Sequence, residues 1–322
     1  MWSERYRPKD LKDLVGLEGG APKSPLLVGL DTIGQRRTID THLLFYGKPG
    51  TGKTTAAMAI AKAIYGDDTH GWVMELNASD QRGIDIVRGP ISAFCDTEAL
   101  LTSPHQTVYP YKLVILDEAD AMTLDAQKGL RHKMESHAAS VRFIFMCNFL
   151  TQIHKAIRSR CFIFRFPPHS DGKVRHTLER VAAGEGLTIA DDGMAALVRE
   201  AGGDLRHAIH LLQGAWISKG SSGRTGLTSE DVYDALGKPP PALWQSLNTK
   251  SLKAVWGTHL SHHLLVDVFY SFCDWLKVSR PPQWLELLPQ IASLERRILA
   301  EGGSGLPVHR WTFMALLGLV FK

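Results

Sequence analysis

The feature that most constrains the fold is the segment 47–54, GKPGTGKT, which matches the pattern G-x-x-x-x-G-K-[ST]. A short apolar run precedes it, and a helical pattern at 54–66 follows it. In this strand–loop–helix context, glycines let backbone N–H groups surround phosphates, and the helix N-terminus adds partial positive charge. Lys53 is predicted to reach the β- and γ-phosphates, and the Thr54 hydroxyl to ligate Mg²⁺. The pattern favours a nucleotide-binding α/β domain over an ordinary glycine-rich turn.

Apolar runs on either side of this loop predict a parallel sheet. They are short, rich in β-formers and separated by helical patterns, most clearly at 54–66 and 124–136. Continuous apolar strands that alternate with helices are typical of a parallel sheet covered on both faces. The predicted strands are 43–47, 73–77, 112–118, 143–148 and 161–166.

The pattern changes after this region, and 322 residues exceed the usual size of one domain. We predict an α/β core at 1–166, a helical lid domain at 167–237 and an all-α C-terminal domain at 238–322, which a proline-rich break, KPPPA, introduces. Residues 1–42 are predicted to be an irregular lead-in because they contain the Gly/Pro-rich stretch 16–25. Helices of the lid are predicted at 171–184, 192–201, 204–218 and 228–236, the last with a capping box of Thr228 and Asp231.

Composition narrows the functional class only a little. A formal net charge of +4 is too small to predict nucleic-acid binding by itself. The four cysteines contain no C-x-x-C pair, which argues against a zinc module or a disulfide framework. The first ten residues are charged where a signal peptide would be apolar, and no apolar run approaches the roughly 18 residues of a membrane span. We therefore expect an intracellular, soluble protein.

A second motif, KLVILDEAD at 112–120, places two carboxylates at the end of a predicted strand. Successive strand side chains face opposite ways, so Asp117 and Glu118 can do different work. Ligands of α/β proteins bind at the carboxyl edge of the sheet. Asp117 is predicted to hold Mg²⁺ through its water shell, and Glu118 to orient or deprotonate the attacking water. A solvated strand end is the alternative, which the nearby phosphate loop disfavours.

Three further polar residues are candidates for nucleotide sites, two for this chain's own site and one for a neighbour's. Asn148 follows the next strand and could position the water and sense the γ-phosphate, although it could also simply cap the strand. Arg160 precedes the fifth strand and is a candidate arginine finger for a neighbouring subunit's γ-phosphate. Arg206 stands in the first turn of a lid helix, where an arginine opposes the helix dipole and a phosphate partner is plausible.

Together these motifs resemble the replication factor C small subunits, which are AAA+ sliding-clamp loaders. The resemblance rests on segments 47–54, 76–91, 113–122, 159–161 and 196–213, and it is dense over residues 2–237. Segment 82–91, RGIDIVRGPI, is most similar to the small subunits numbered 5 or 3, depending on lineage. The resemblance implies an AAA+ P-loop core with a helical lid and an all-α collar domain.

The resemblance also implies residue roles. Asn148 corresponds to the first sensor, Arg160 to the arginine finger, Arg206 to the second sensor and Arg131 to an arginine near the subunit interface. Arg82 and Arg88 correspond to DNA-facing residues, and a helix capped by Asp80 or Ser79 would place Arg88 on the inner face; solvated surface charge is the alternative for both. Arg82 would also restrain Glu118 until DNA draws it away. The implied ATP-binding set is Tyr6, Arg7, Pro8, Gly47, Pro49, Gly50, Thr51, Gly52, Lys53, Thr54, Thr55, Asn148 and Arg206, with Mg²⁺ held by Thr54 and Asp117.

The function implied is that of an ATPase subunit in a hetero-pentamer with other replication factor C subunits. It would open a sliding clamp of the PCNA type and load it on primer–template DNA without sequence specificity, in the nucleus and away from membranes. The alternatives are another AAA+ DNA motor, such as a branch-migration helicase, or a subunit that binds ATP as a scaffold with little turnover. Intact Lys53, Asp117 and Glu118 argue against the scaffold.

The chain departs from the family pattern at several positions. Lys48 and Lys155 stand where prolines are usual, and His132 and His207 replace second arginines. Segments 18–40 and 96–111 are longer than in the family, and the second is either a modified clamp contact or a surface-loop expansion. The pair His262-His263 shows no metal pattern, and the tryptophans after residue 240 are predicted to anchor the core and subunit interfaces.

Overall fold

The computed structural model divides the chain into two units, Met1–Thr177 with Ala201–His207 and Leu178–Glu200 with Ala208–Lys322. The predicted boundaries of three domains stay a prediction. Within these units the structure describes residues 1–15, 25–67, 69–80, 82–97, 109, 111–220, 226–240, 243–244, 265–279, 284–300, 312–313 and 317.

A parallel sheet of five strands forms the centre of the first unit, which confirms the predicted fold class. The strand order is β2-β3-β4-β1-β5, and every pairing is parallel. Because β1 lies between β4 and β5, the loop that follows β1 lies beside the carboxyl end of β4. The strands are β1 (His42–Tyr46), β2 (Val73–Asn77), β3 (Lys112–Asp117), β4 (Val141–Cys147) and β5 (Cys161–Arg165).

Helices cover both faces of this sheet, as continuous apolar strands require. Leu43 and Phe45 of β1 pack into one buried cluster with α4 (Lys53–Tyr65), and Leu44 between them packs into the opposite cluster with α6 (Leu124–Ser136). Alternate strand residues therefore enter different clusters, as the two-residue period of a strand dictates. Helix α5 (Ser92–Asp96) also borders the second cluster, and α7 (Lys155–Arg158) precedes β5.

The prediction of an irregular lead-in at 1–42 was wrong for the part of that segment that the structure describes. Three helices form there, α1 (Trp2–Arg5), α2 (Leu11–Val15) and α3 (Pro25–Arg36). Leu11 and Leu30 are buried in the cluster that contains α4. Gly29 lets α3 approach β5 closely, because a Cβ there would lie 2.5 Å from the Phe164 ring. The Gly/Pro-rich stretch that motivated the prediction falls mostly outside the described residues.

The predicted helix start near Ser79 and Asp80 was also wrong. Ser79 lies in a local turn instead, where its backbone N–H donates to Asn77 Oδ1 at 2.9 Å. Helical structure begins at residue 85 and takes a π conformation at Val87–Ile91. Pro90 inside this segment lacks an N–H, which disfavours a regular α-helical hydrogen-bond ladder.

The second unit is helical. Its elements, of which the first three also have residues in the first unit, are α8 (Asp171–Glu185), α9 (Asp191–Ala201), α10 (Leu205–Lys219), α11 (Ser229–Leu236), α12 (Leu265–Ser279) and α13 (Trp284–Ala300). The first four confirm the predicted lid helices to within a residue or so. Thr228 and Asp231 form the predicted capping box at α11.

Aromatic side chains build the core of α12 and α13. Trp244 is fully buried, and its Nε1–H donates to Ser271 Oγ at 2.9 Å, which supports the prediction that it anchors the core. Phe269, Phe272 and Phe313 pack in the same cluster. The pair at 262–263, Trp256 and Trp311 lie outside the described residues. No helix within the described ranges is long and apolar enough to cross a membrane.

Candidate nucleotide-binding site

The loop between β1 and α4 has the backbone that a phosphate-binding loop needs. Gly50 and Gly52 have φ values of 67° and 93°, in the left-handed region that glycine adopts without a Cβ penalty. The turn is held internally, since Thr51 Oγ1 donates to the Lys48 carbonyl at 2.8 Å. Helix α4 begins directly after Gly52, so its free N–H groups point into the loop.

Lys53 lies at the centre of this site and is buried. Its Nζ donates to the carbonyls of Gly47 and Lys48 at 2.7 and 3.0 Å, and to Asn148 Oδ1 at 3.0 Å. Burial lowers the pKa of Lys53, and the nearby Asp117 carboxylate opposes that shift. The amine is therefore held at the ends of β1 and β4 by three oxygens, which the oxygens of a bound phosphate can replace.

Thr54 and Asp117 meet where the sequence predicts a Mg²⁺ site. The Thr54 hydroxyl donates to Asp117 Oδ2 at 2.8 Å, although 63 residues separate the two. These are hard oxygen ligands of the kind that Mg²⁺ prefers, with water and phosphate completing its shell. No group of three or more His, Cys, Asp or Glu side chains gathers into a metal site among the described residues. The pair thus fits an ion that shares its coordination with phosphate and water.

Glu118 has an unusual backbone at the end of β3. Its φ of 52° lies in the left-handed region, where non-glycine residues are uncommon and pay a strain cost. Its N–H donates to Asp117 Oδ1 at 2.9 Å, and its side chain is exposed. The turn therefore separates the two carboxylates, so that Asp117 faces Thr54 while Glu118 remains open to solvent.

Asp120 is a site residue that the sequence reasoning missed. Its Oδ2 accepts hydrogen bonds from the backbone N–H groups of Asn148 and Phe149, at 3.0 and 3.1 Å. These contacts hold the end of β4 so that the Asn148 side chain reaches Lys53. The repeat of acidic residues in DEAD was the available signal, but only the neighbouring positions of β3 and β4 reveal the partner.

A second missed residue, Asp204, connects the start of α10 to the phosphate loop. Its Oδ1 accepts from the His207 N–H at 2.8 Å, and the Leu205 N–H donates to the Gly50 carbonyl at 3.3 Å. A Cβ on Gly50 would overlap the Asp204 carboxylate, so the loop and this carboxylate are in close contact. Arg206 follows two residues later with an exposed side chain, and its role as the second sensor stays a prediction.

The N-terminal segment also reaches the site. Arg7 donates from Nε to Thr55 Oγ1 at 3.1 Å and pairs with Glu4 at 3.1 Å. Its Nη2 is buried and has no hydrogen-bond partner. Tyr6 and Pro8 are half-buried on either side. The structure thus brings the predicted segment 6–8 to the first turn of α4, next to Thr54.

Arg160 lies at the opposite edge of the sheet. Cys161 pairs with His42 at the first residues of β5 and β1, so Arg160 precedes the amino ends of the strands. Five strand residues span about 16 Å, which separates it from the carboxyl edge of its own chain. Arg160 Nη2 donates to Glu135 Oε1 at 2.6 Å, and Arg131 Nε lies 4.0 Å from the same oxygen. The predicted finger is therefore not part of this chain's own site.

The two predicted DNA-contacting arginines are exposed. Arg82 Nε donates to the Ser79 carbonyl at 3.3 Å, and its own carbonyl accepts from the Thr123 N–H at 3.0 Å. Arg88 lies in the π segment. Among the described residues no ion pair joins Arg82 to Glu118, so their coupling stays a prediction. The Ala78 N–H donates to the Asp117 carbonyl at 2.9 Å, which places the start of this segment beside the end of β3.

The departures from the family pattern leave this geometry intact. Lys48 is exposed, and its backbone carbonyl rather than its side chain takes part in the loop. Lys155 opens α7, which His154 caps by accepting from the Ala156 N–H at 3.2 Å. Segment 98–108 and residues 16–24 lie outside the described residues, so the longer stretches at 18–40 and 96–111 are described only in part.

Comparison with known proteins also identifies the chain as an ATPase. The family model described as "ATPase family associated with various cellular activities (AAA)" matches residues 43–168. Replication factor C subunit 3 of Oryza sativa subsp. japonica is 37% identical over 309 residues, covering 92% of this chain and 81% of the rice protein. Replication factor C subunit 5 of Homo sapiens is 42% identical over 239 residues, covering 74% and 65%. The replication factor C small subunit of Natronomonas pharaonis is 43% identical over 252 residues, covering 78% and 72%.

A solved structure agrees on the fold alone. The "Thermotoga maritima RuvB Holliday junction branch migration motor" superposes with a TM-score of 0.56 at 16% identity, covering 78% of this chain and 79% of that chain. The curated relatives are more than twice as similar in sequence, and the rice and archaeal proteins are matched over more than two thirds of their own length. The chain therefore belongs to the replication factor C small-subunit family, the AAA+ ATPase subunits of clamp loaders.

Proposed function

We propose that this chain is one ATP-hydrolysing subunit of a hetero-pentameric sliding-clamp loader and that a neighbouring subunit completes its site. One observation carries the proposal. Lys53, Thr54, Asp117 and Asn148 converge at the carboxyl edge of the sheet, while Arg160 stands at the amino edge. A γ-phosphate bound at the first edge lies out of reach of the chain's own Arg160, which is free to serve the next subunit.

ATP would be held by residues that already face one another. Lys53 would exchange its bonds to Gly47, Lys48 and Asn148 for the β- and γ-phosphate oxygens. Thr54 and Asp117 would hold Mg²⁺, which when bound neutralises phosphate charge in the transition state. Asn148, kept in place by Asp120, would orient the attacking water.

Glu118 would accept a proton from that water or orient it. Its left-handed backbone is a strained conformation of the kind found at active sites, and it keeps the carboxylate separate from Asp117. Burial of Lys53 next to this pair lets one positive charge act on the phosphates with little screening by solvent.

DNA would be contacted through its phosphates by Arg82 and Arg88, so the contacts carry no base code. Both side chains are exposed, and the segment that holds them begins beside Asp117. Because this segment is hydrogen-bonded to the end of β3, a shift of Arg82 on binding DNA would be transmitted to Glu118. The partners are the other replication factor C subunits, a sliding clamp of the PCNA type and primer–template DNA. We place the protein in the nucleus, because its matched relatives include human, mouse and rice proteins.

The test is the ATPase rate of the chain co-assembled with its partner subunits, with and without sliding clamp and primed DNA. We expect strong stimulation by clamp and DNA together. Arg160→Ala should abolish it while this chain still binds ATP, because the arginine acts on a neighbour's site. Arg36→Ala is the matched control, since Arg36 is an exposed arginine that pairs only with Asp40 at 3.9 Å among the described residues. Unchanged rates on addition of clamp and DNA would contradict clamp loading.

A scaffold that binds ATP without turnover is the second candidate. Its support is that Glu118 is exposed and bonds through its backbone only, within the described part of the chain. Glu118→Gln separates the two: loss of this subunit's share of turnover with ATP binding intact supports hydrolysis here. An assembly whose rate is unaffected by that substitution supports the scaffold.

A further inference from the structure

His169 occupies a position at the nucleotide site that neither the sequence motifs nor the catalytic residues use. Its backbone N–H donates to the Gly203 carbonyl at 3.0 Å, and Gly203 is followed by Asp204, which touches Gly50 of the phosphate loop. Three residues before it, the Phe166 carbonyl lies against Gly47 so closely that a Cβ there would overlap it. Gly47 at the start of the loop therefore contacts the segment that carries His169, and Gly50 contacts Asp204, whose neighbour Gly203 is hydrogen-bonded to His169.

The imidazole of His169 has a buried nitrogen with nothing to bond. Its Nε2 is shielded from solvent and has no hydrogen-bond partner. Burial lowers the pKa of His169 to about 4, with the Lys173 cation adding to that shift and Asp204 opposing it. The ring is thus neutral at physiological pH and can offer a lone pair. Buried polar atoms in folded proteins are nearly always paired, so an orphan at a binding site indicates a ligand group.

A second orphan lies at the same site. Arg7 Nη2 is also buried without a hydrogen-bond partner, while Nε of the same side chain bonds Thr55, the residue after the predicted Mg²⁺ ligand. The N-terminal segment, which bonds the first turn of α4, and the segment that follows β5 each supply one such atom. Phosphates fill the loop itself. Unpaired groups on the segments that flank the loop are therefore available to bind the base and the sugar of the nucleotide.

We propose that His169 reads the base of the bound nucleotide by accepting a hydrogen bond at Nε2 from the 6-amino group of adenine. This rests on the proposed ATP binding and is independent of clamp loading. Guanine carries an oxygen at that position and offers no donor there, so the same contact favours adenine nucleotides. His169 is therefore a specificity-determining residue rather than a catalytic one.

The test compares ATP with purine riboside 5′-triphosphate, which differs only by lacking the 6-amino group. Dissociation constants for both are measured by calorimetry on the full chain in its assembly, for wild type, His169→Leu and His169→Gln. His176→Leu is the matched control, because His176 is an exposed histidine on α8. Wild type and His176→Leu should prefer ATP roughly tenfold, the effect of one buried hydrogen bond.

His169→Leu should bind the two nucleotides within about twofold of each other, whereas His169→Gln, whose amide oxygen can accept the bond, should keep part of the preference. The ratio of constants cancels any general loss of affinity or stability. A preference that survives in His169→Leu, or its absence from wild type, overturns the proposal. If His169→Leu does not fold, the wild-type ratio and His169→Gln decide. Binding of neither nucleotide contradicts both proposals, while a wild-type chain that shows no preference but keeps clamp stimulation contradicts this one alone.

Discussion

Removing the Asp120 carboxylate should disturb the nucleotide site indirectly, through the backbone that positions Asn148. Asp120 is not in the predicted ATP-binding set, yet its Oδ2 accepts hydrogen bonds from the backbone N–H groups of Asn148 and Phe149. A hydrogen bond to a charged group contributes about 1.5–3 kcal/mol. Both bonds end on one oxygen of a half-buried residue, so we expect Asp120→Ala to cost about 2 kcal/mol rather than the sum.

That loss has two measurable consequences. For a unit of this size, 1 kcal/mol shifts the melting temperature by roughly 2–4 °C, so Asp120→Ala should lower it by about 4–8 °C. Asn148 would lose its position beside Lys53, and displacement of an orienting group lowers the turnover rate, here by roughly tenfold or more. Circular dichroism melting and the clamp- and DNA-stimulated ATPase rate measure the two effects.

Two variants make the result interpretable. Asp125→Ala is the matched control, because Asp125 is 77% exposed and pairs only with Lys128 among the described residues; its loss should cost less than about 0.5 kcal/mol. Asp120→Asn keeps an acceptor oxygen without its charge and should fall between Asp120→Ala and wild type. Melting and ATP hydrolysis of Asp120→Ala equal to those of Asp125→Ala would contradict a supporting role for Asp120.

Three further predictions concern the backbone and the helix ends. Gly50→Ala, which must hold a φ of 67° and displace Asp204, should destabilise by about 1–3 kcal/mol in thermal melting and weaken ATP binding; wild-type melting and affinity would count against the close contact. Gly214→Ala, in helix α10 with open space around it, should stabilise by about 0.5–1 kcal/mol, and a lower melting temperature would show an unseen constraint. Burial raises the pKa of Asp231, but hydrogen bonds from Thr228 and Lys219, together with the Lys219 charge, outweigh it and hold that pKa below its usual 3.8. A depressed carboxyl pKa adds stability that is present above pH 3.8 and lost as the pH falls through the folded value, so denaturant melts of Asp231→Asn should lose this dependence; an unchanged profile would falsify the assignment.

Much of the core could be predicted because its signals are local. Five apolar runs gave five strands, and the residues at their carboxyl ends, Asp117 and Asn148, meet the phosphate loop as parallel strands require. The capping box at Thr228 formed as its four-residue pattern predicts. In each case the physical cause, strand alternation or a side chain bonding a nearby N–H, acts within a few residues.

The misses arise where packing overrides a local pattern. Helix α3 contains Gly29, which lowers helix propensity but lets the helix pack on Phe164 of β5. The helix predicted near Ser79 begins later, since Asn77 binds the backbone of that turn. Neither cause can be read from composition, because each depends on what the rest of the chain places beside the segment.

The phosphate loop, the parallel sheet and the family can be predicted from the amino-acid sequence alone, because spacing and alternation encode those features through short-range geometry. The tertiary fold was needed to show that Asp120 supports Asn148 across 28 residues, and that Asp204 contacts Gly50. It also decided that Arg160 stands a full strand length from its own site, and that His169 keeps a buried nitrogen unpaired. These relations join residues that are distant in the chain, and strand order and packing, not local propensity, bring such residues together or keep them apart.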